Sequence, residues 1–389
     1  MSRATGDRVA ILGGGQLARM LVQAGVPLGA SFRVVDKSTD VCAAQVAPVQ
    51  AVEWSNQDAL VALADEVDVI TFDYENVPAG SVEQMARHTQ VHPNPRALAV
   101  AQDRMSEKAL FESVGLATAT HAAVSTREEL DAALAVTGCP AILKTRRLGY
   151  DGKGQFRLHS EADADAAWQE LGQAARQHGL ILEAMIDFQR EVSVVAARGR
   201  SGEFRAWPLV QNWHDDGILS ISMAPAAVTT ALHDEALKHA RAIAEELDYV
   251  GVFALELFVD GDRLLGNEMA PRVHNSGHWS IEGAVTSQFE NHVRAVLDMP
   301  LGCTDARGFS LMFNWIGEMP RRDVALRHGG VHWHDYGKSP RPGRKLGHAT
   351  ICADDAGLLL DRAEALARDL GCEARLQPVR DWVLADPAA

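Results

Sequence analysis

The stretch Val252–Gly277, VFALELFVDGDRLLGNEMAPRVHNSG, contains two apolar runs on either side of a Gly261-Asp262-Arg263 loop, and each run carries one glutamate. The pattern predicts a β-hairpin with strands over Val252–Val259 and Leu264–Glu268. A loop centred on Asp262 sets Glu256 directly opposite Glu268. Like charges facing each other across a ladder are destabilising. Phe253, Leu255, Leu257 and Phe258 make both faces apolar, which predicts that the acids are buried. A hard cation between the carboxylates removes the conflict, and oxygen ligands of this kind suit Mg²⁺. The alternative is a solvated hairpin with acids on its outer face. Pro271 biases Ala270 toward extended backbone, so the chain leaves the sheet in a set direction and carries Arg272, His274, Asn275 and Ser276 to the same neighbourhood.

A chain of 389 residues is too long for one ordinary core and predicts two to four domains. Its apolar share of 47% and charged share of 23% describe a globular protein. No apolar run reaches the length of a membrane span, and MSRATGDR lacks a signal-peptide core, which predicts a cytoplasmic protein with no membrane partner. Cys42, Cys139, Cys303, Cys352 and Cys372 are scattered without a C-x-x-C pair, suggesting reduced thiols and neither a disulfide framework nor a zinc site. A net charge of -15 argues against a nucleic-acid partner. A small anionic substrate in a local cationic pocket stays open.

Taken in order, Arg8–Leu12 predicts a strand that runs into Gly13-Gly14-Gly15-Gln16-Leu17-Ala18, followed by a helix over Leu17–Ala24 and a strand Phe32–Val35 that ends at Asp36. This matches the dinucleotide fingerprint. The physics is anion binding by N–H groups at a helix start, which suits a nicotinamide dinucleotide or any other phosphate; a purely structural turn is the bland reading. A strand Val67–Phe72 leads to Asp73-Tyr74-Glu75-Asn76, where Glu75 is a candidate site residue or a surface acid. His92-Pro93-Asn94-Pro95 predicts a boundary. A helix over Asp103–Val114 carries Arg104 in its first turn, ordinarily a surface charge. From Thr118 the pattern becomes a smaller α+β unit. Strand Ala141–Thr145 bears Lys144, and the glycines and cations of 146–155 predict a mobile cover for phosphates without Walker A spacing. Further expectations are a helix over Ala162–Gln177 and strands Leu180–Glu183 and Glu191–Ala197. Asn212–Gly217 reads as a polar turn, His233–Leu247 as a helix, and Ser287–Leu297 as a helix with His292 on its surface. Strands over Phe309–Ile316, Val331–Trp333 and His348–Cys352 precede a last helix, Leu358–Leu370. Arg341-Pro342-Gly343-Arg344-Lys345 is a rigid basic turn, read either as a binding loop or as solubilising surface.

GGGQLARM near the start, Lys144 with GYDGKGQ at 149–155, EAMIDFQREVS at 183–193, QNWHDDGIL at 211–219, NEMAPRVHNSGHW at 267–279 and RPGRKLGH at 341–348 fall in one order over essentially the whole chain. Together they resemble the ATP-grasp superfamily, and within it a purine-pathway branch that carboxylates a ribotide. The resemblance implies α/β and α+β architecture: a Rossmann-like pre-ATP-grasp domain at 1–103, a two-lobed ATP-grasp module at 104–187 and 188–308, and a small C-terminal domain at 309–389, paired as a homodimer. It implies ATP between the lobes, with Arg104 and Lys144 on its phosphates. The flap Gly149, Tyr150, Asp151, Gly152, Lys153, Gly154 and Gln155 would close over it. Glu183, Ala184, Met185 and Ile186 would meet adenine and Glu191 the ribose, while His214, Asn267 and Glu268 line the pocket. Mg²⁺ would lie between Glu256 and Glu268. The ribotide phosphate would rest on Gly13, Gly14, Gly15, Gln16, Leu17, Arg344 and Lys345. Glu75, Tyr150, Asp151, Lys153, Arg272, His274 and Asn275 would serve the chemistry. The implied reaction turns bicarbonate and ATP into carboxyphosphate, which delivers CO₂ to the amine of 5-aminoimidazole ribonucleotide. Ala270 stands where many relatives have Asn, and strand alternation turns the Asn267 side chain away from Glu268. Rival readings are a formate-dependent glycinamide ribotide transformylase of the same superfamily, an NAD-dependent dehydrogenase, and a catalytically silent nucleotide-binding regulator.

Overall fold

The computed structural model describes residues 7–149 and 154–385. Tyr150, Asp151, Gly152 and Lys153 lie outside the described residues. The first unit is a five-stranded parallel sheet, in the order Val49–Ala51, Ser31–Asp36, Arg8–Leu12, Val69–Phe72, Gln90–Val91. Its central strand is apolar at every position from Val9 to Leu12 because helices cover both faces, as parallel sheets require. The helix Gln16–Gly25 packs on Gln288–Val296 of the large lobe through one shared core. A Cβ on Gly25 would come within 2.2 Å of Phe32 and 3.2 Å of Val293.

The small lobe is a four-stranded antiparallel sheet in the order His121–Val124, Leu180–Ala184, Ala141–Thr145, Gln155–Leu158. Helices Arg127–Thr137 and Ala164–His178 back it. A nine-stranded sheet carries everything after it. Its path runs Arg263–Ala270, Gly251–Asp260, Arg190–Arg198, Val210–Asp215, Ile218–Ala224, Phe309–Ile316, Lys345–Ala353, Val331–Asp335, with Phe204–Ala206 paired to Arg190–Arg198. Ile218–Ala224 is hydrogen-bonded to Phe309–Ile316, so a sheet crosses the boundary expected at 308. The last segment widens the large lobe and does not stand as a separate sheet.

Two sequence expectations are corrected here. Asn212–Gly217 is not a polar turn: Val210–Asp215 is a strand, and the reversal is confined to Asp216 and Gly217, both at positive φ. Its polar composition comes from buried pairing, since Asn212 Nδ2 donates to Ser193 Oγ at 2.6 Å and Ser222 Oγ donates to Asn212 Oδ1 at 2.8 Å. His292 is not on the helix surface. It is fully buried, lies 2.7 Å from Thr71 Oγ1 through Nε2, and accepts the Val252 N–H at Nδ1. A helix over Gln377–Ala385 follows the expected last one.

The hairpin has Glu256 registered on Glu268, but the loop is shorter than expected. Asp260 pairs with Arg263 around a two-residue turn, and that register would set Glu256 against Asn267. A bulge at Asn267 adds one residue to the outer strand and restores the Glu256–Glu268 pairing.

Candidate active site

A cavity of about 570 Å³ opens where the three units meet. The first domain contributes Gln16 and Leu17 at the start of its first helix, and Asp73 to Asn76 beyond its fourth strand. The hairpin contributes Glu268 to Ala270, and the segment after it Arg272, His274 and Asn275. The C-terminal unit contributes Lys338 and the run Arg341 to Lys345. Arg104, Gly149, Glu107 and Arg146 close the side toward the small lobe.

Charge in this site is arranged in pairs. Arg272 Nε lies 2.9 Å from Glu75 Oε2, so the acid that ends the fourth strand aims the guanidinium. Arg104 Nη1 donates to Glu268 Oε2 at 3.2 Å. Burial raises Glu268, but Arg104 and Lys144 outweigh it and hold this carboxylate below its ordinary range. Its partner behaves oppositely: burial and the facing Glu268 push Glu256 up to about 8. At neutral pH the pair therefore shares one proton, the signature of two carboxylates forced together. Burial, then Arg272, drives His274 well below its ordinary value, so the ring is neutral. The Ser276 N–H donates to its Nδ1 at 3.3 Å, which leaves the proton on Nε2, 3.2 Å from Glu256 Oε1.

A second row of pairs runs between the lobes. Lys144 Nζ donates to Glu183 Oε2 at 2.7 Å; burial alone would raise Glu183, but Lys144 and Lys108 bring it down to about 2. His214 Nδ1 lies 2.5 Å from Glu191 Oε2, and this partner outweighs burial to raise the imidazole. The N–H groups of Ala184 and Met185 donate to Thr120 and Pro140 within the protein.

The glycine turn departs from the fingerprint. Gly13 N–H donates to Val35 C=O, Gly14 N–H to Asp36 Oδ2 at 2.7 Å and Gly15 N–H to Asp73 Oδ2 at 2.5 Å. Asp36, the acid that completes the dinucleotide fingerprint, is thereby committed to the turn. A Cβ on Gly14 would come within 2.5 Å of Val41, so close packing requires that glycine. Gly13, Gly14 and Gly15 therefore do not present their amides to the cavity; Gln16 and Leu17 line it instead. Asn267 belongs to the bulge and does not line it either.

Sequence reasoning passed over three groups, Asp73, Lys338 and Lys108, while Arg341, read as part of the basic turn, lines the cavity. Asp73 stands two residues before Glu75 at the same strand end. Lys338 donates to Gln16 Oε1 at 2.5 Å and extends the basic run, a cluster legible from 338 to 345. Lys108 gave no signal beyond its place one turn after Arg104.

A parallel-sheet domain joined to two α+β lobes, with a lysine-glutamate pair in one and facing carboxylates in the other, defines an ATP-grasp ligase. Residues 109–289 match the ATP-grasp domain, residues 7–102 the ribonucleotide synthetase preATP-grasp domain, and residues 310–362 the phosphoribosylaminoimidazole carboxylase C-terminal domain. The chain is 47% identical over 362 residues to N5-carboxyaminoimidazole ribonucleotide synthase of Pseudomonas aeruginosa, spanning 92% of this chain and 99% of that one. The crystal structure of the Thermus thermophilus synthetase, 47% identical, superposes with a TM-score of 0.88 over 93% of this chain and 98% of that one. The Aspergillus clavatus synthase in complex with ADP and 5-aminoimidazole ribonucleotide is 29% identical, with a TM-score of 0.85 over 94% and 99% of the two chains. The protein belongs to the N5-carboxyaminoimidazole ribonucleotide synthase family.

Proposed function

We propose that the protein uses ATP and bicarbonate to carboxylate 5-aminoimidazole ribonucleotide on its exocyclic amine, releasing ADP and phosphate. One observation carries this reading: a single cavity is lined both by Glu268 with Arg104 and by the basic run Lys338–Lys345. A phosphoryl group in transfer and the phosphate of a second substrate are thus served within one enclosure. ATP lies between the lobes, its phosphates toward Lys144 and Arg104, its adenine along Glu183 to Ile186 through their carbonyls, and its ribose toward Glu191 and His214. The ribotide phosphate takes Lys338, Arg344, Lys345 and the amides of Gln16 and Leu17, at the positive end of a ten-residue helix.

A bicarbonate oxygen attacks the γ-phosphorus and ADP departs with the bond electrons. The resulting carboxyphosphate breaks to CO₂ and phosphate, and the amine nitrogen takes the CO₂ carbon while its proton passes to phosphate. Arg104 and Arg272 offset charge on the transferring oxygens, Glu75 keeps Arg272 aimed, and the walls keep water from the labile intermediate. Glu256 and Glu268 fit Mg²⁺, because two oxygen donors face each other with one more negative charge than burial tolerates; among the described residues no larger cluster of acids, histidines or cysteines is set for a metal. When bound, that ion supplies charge neutralisation at the phosphate oxygens. The His274 Nε2–H then orients Glu256. A cytoplasmic homodimer completes the reading, and light scattering should give a mass near twice the 42.1 kDa chain. Among the described residues no helix is long and apolar enough to cross a membrane.

The test is ADP release. Turnover should require bicarbonate and aminoimidazole ribotide together, with no NADH consumed. Release driven by formate with glycinamide ribotide would move the protein to the rival branch.

A further inference from the structure

Arg263–Ala270 is the outermost strand of the nine-stranded sheet, and its outer edge meets a one-residue parallel bridge at Thr118, where the Gly266 N–H donates to the Ala117 carbonyl at 2.8 Å. The helix Arg104–Ser113 covers that edge with one face. Arg104 reaches the Glu268 carboxylate. One turn on, Glu107 Oε1 accepts the Met269 N–H at 2.6 Å. Beside it, Lys108 Nζ donates to the carbonyls of Gly266 at 3.2 Å and Asn267 at 2.9 Å. Gly266 and Asn267 are the residues of the bulge. Lys108 is 1% exposed, and an ammonium taken so far out of water stays only where its donors are occupied. Glu183 Oε1 lies 3.7 Å away at ion-pair distance, and the other oxygen of that carboxylate receives Lys144.

The bulge decides which residue faces Glu256. Without it the register set by the turn would put Asn267 there and rotate Glu268 to the opposite face. We infer that Lys108 is a positioning residue for the metal-binding carboxylates. Fixed on two bulge carbonyls and ion-paired with Glu183 at 3.7 Å, it keeps Glu268 opposite Glu256 and ties that register to the lobe that holds Lys144. The inference rests on the assignment of Glu256 and Glu268 to Mg²⁺.

Positioning and simple electrostatics predict opposite signs. Removing a buried cation near Glu268 should, through charge alone, tighten binding of a divalent cation. Losing the register should weaken it, as losing an outer-shell partner does, by roughly 10- to 100-fold. The probe is Mn²⁺, titrated by electron paramagnetic resonance at saturating ADP. Lys108→Met keeps the aliphatic stem and removes the donors. It should raise the Mn²⁺ dissociation constant at least tenfold and leave aminoimidazole ribotide binding within twofold of wild type. Unchanged or tighter Mn²⁺ binding overturns the inference. Should Lys108→Met fail to fold, Lys108→Gln, which retains one N–H donor, is held to a threefold weakening on the same terms. Glu268→Gln separates the two claims. If Glu268→Gln loses Mn²⁺ while Lys108→Met keeps it, the positioning role fails alone; if Glu268→Gln binds like wild type, the metal assignment itself fails.

Discussion

Glu256 takes up a proton on folding. Burial and Glu268 raise its pKa from an unfolded value near 4.5 to about 8, and burial raises Glu107 to about 8 as well. Between these values each of the two groups holds a proton in the native state that the unfolded chain has released, so their contribution to stability is lost as pH rises from about 5 to 8 when divalent cations are removed. The buried His92, His274, His278, His292 and His348 contribute oppositely, since their lowered pKa values favour the native state as pH rises. Glu256→Gln deletes one of the two contributions. In the presence of a chelator the difference between its melting temperature and that of wild type should grow over that range and place the variant above wild type at pH 8, while ATP turnover is lost. Parallel melting curves would contradict the shared proton. Lys345 belongs to the basic run that lines the same cavity. Lys345→Ala removes one charged hydrogen bond to the ribotide phosphate, costing about 1.5–3 kcal/mol, or roughly 10- to 150-fold in its apparent affinity. The ATP constant should hold, since that pocket draws on Lys144 and residues 183–191. Saturation curves for each substrate decide, and equal increases in both would place the basic loop at the nucleotide.

Among elements, the helix Arg104–Ser113 and the strand Arg263–Ala270 act as one unit. A Cβ on Gly266 would come within 2.7 Å of Phe111 and 2.9 Å of Leu116, so the helix approaches this strand as closely as glycine allows. Gly266→Val should therefore destabilise the protein by about 1–3 kcal/mol in denaturant melts and raise the KM for ATP, because the helix also carries Arg104. A neutral result would mean that helix and strand tolerate separation. Most elements were legible in the sequence, with Arg8–Leu12, Ala141–Thr145 and Phe309–Ile316 predicted to the residue. Each is mainly apolar and is followed within a few residues by glycine. Where legibility failed, tertiary structure had changed the meaning of the residues. The polar stretch at Asn212 is strand because Ser193 and Ser222 satisfy it across the sheet. His292 looked like helix surface because its partners, Thr71 and Val252, lie 221 and 40 residues away. The facing glutamates were foreseen from the hairpin, although a bulge that no local signal announced produces the pairing. The glycine turn was seen correctly as a strand-to-helix connection, but Asp36 and Asp73, which occupy its amides, could be recognised only once the strands stood side by side.

At the scale of the molecule, the chain brings surfaces from three parts of the sequence to one enclosure. Lys338 bonds to Gln16 across 322 residues, and Arg104 to Glu268 across 164, so the first domain and the C-terminal unit close on the hairpin from opposite ends of the sequence. The continuous sheet from Arg263–Ala270 to Val331–Asp335 makes this placement rigid, and it gives an overall acidic protein of charge -15 a local basic wall for an anionic substrate. The claim that most depends on this convergence is that bicarbonate is activated by direct phosphoryl transfer before carbon reaches the amine. Turnover with ¹⁸O-labelled bicarbonate, ATP and aminoimidazole ribotide tests it, with the released phosphate read by its isotope shift in ³¹P NMR. Direct transfer leaves one bicarbonate-derived ¹⁸O in each phosphate, in step with ADP formed. Phosphate carrying no label, with its new oxygen drawn from solvent water, would contradict it.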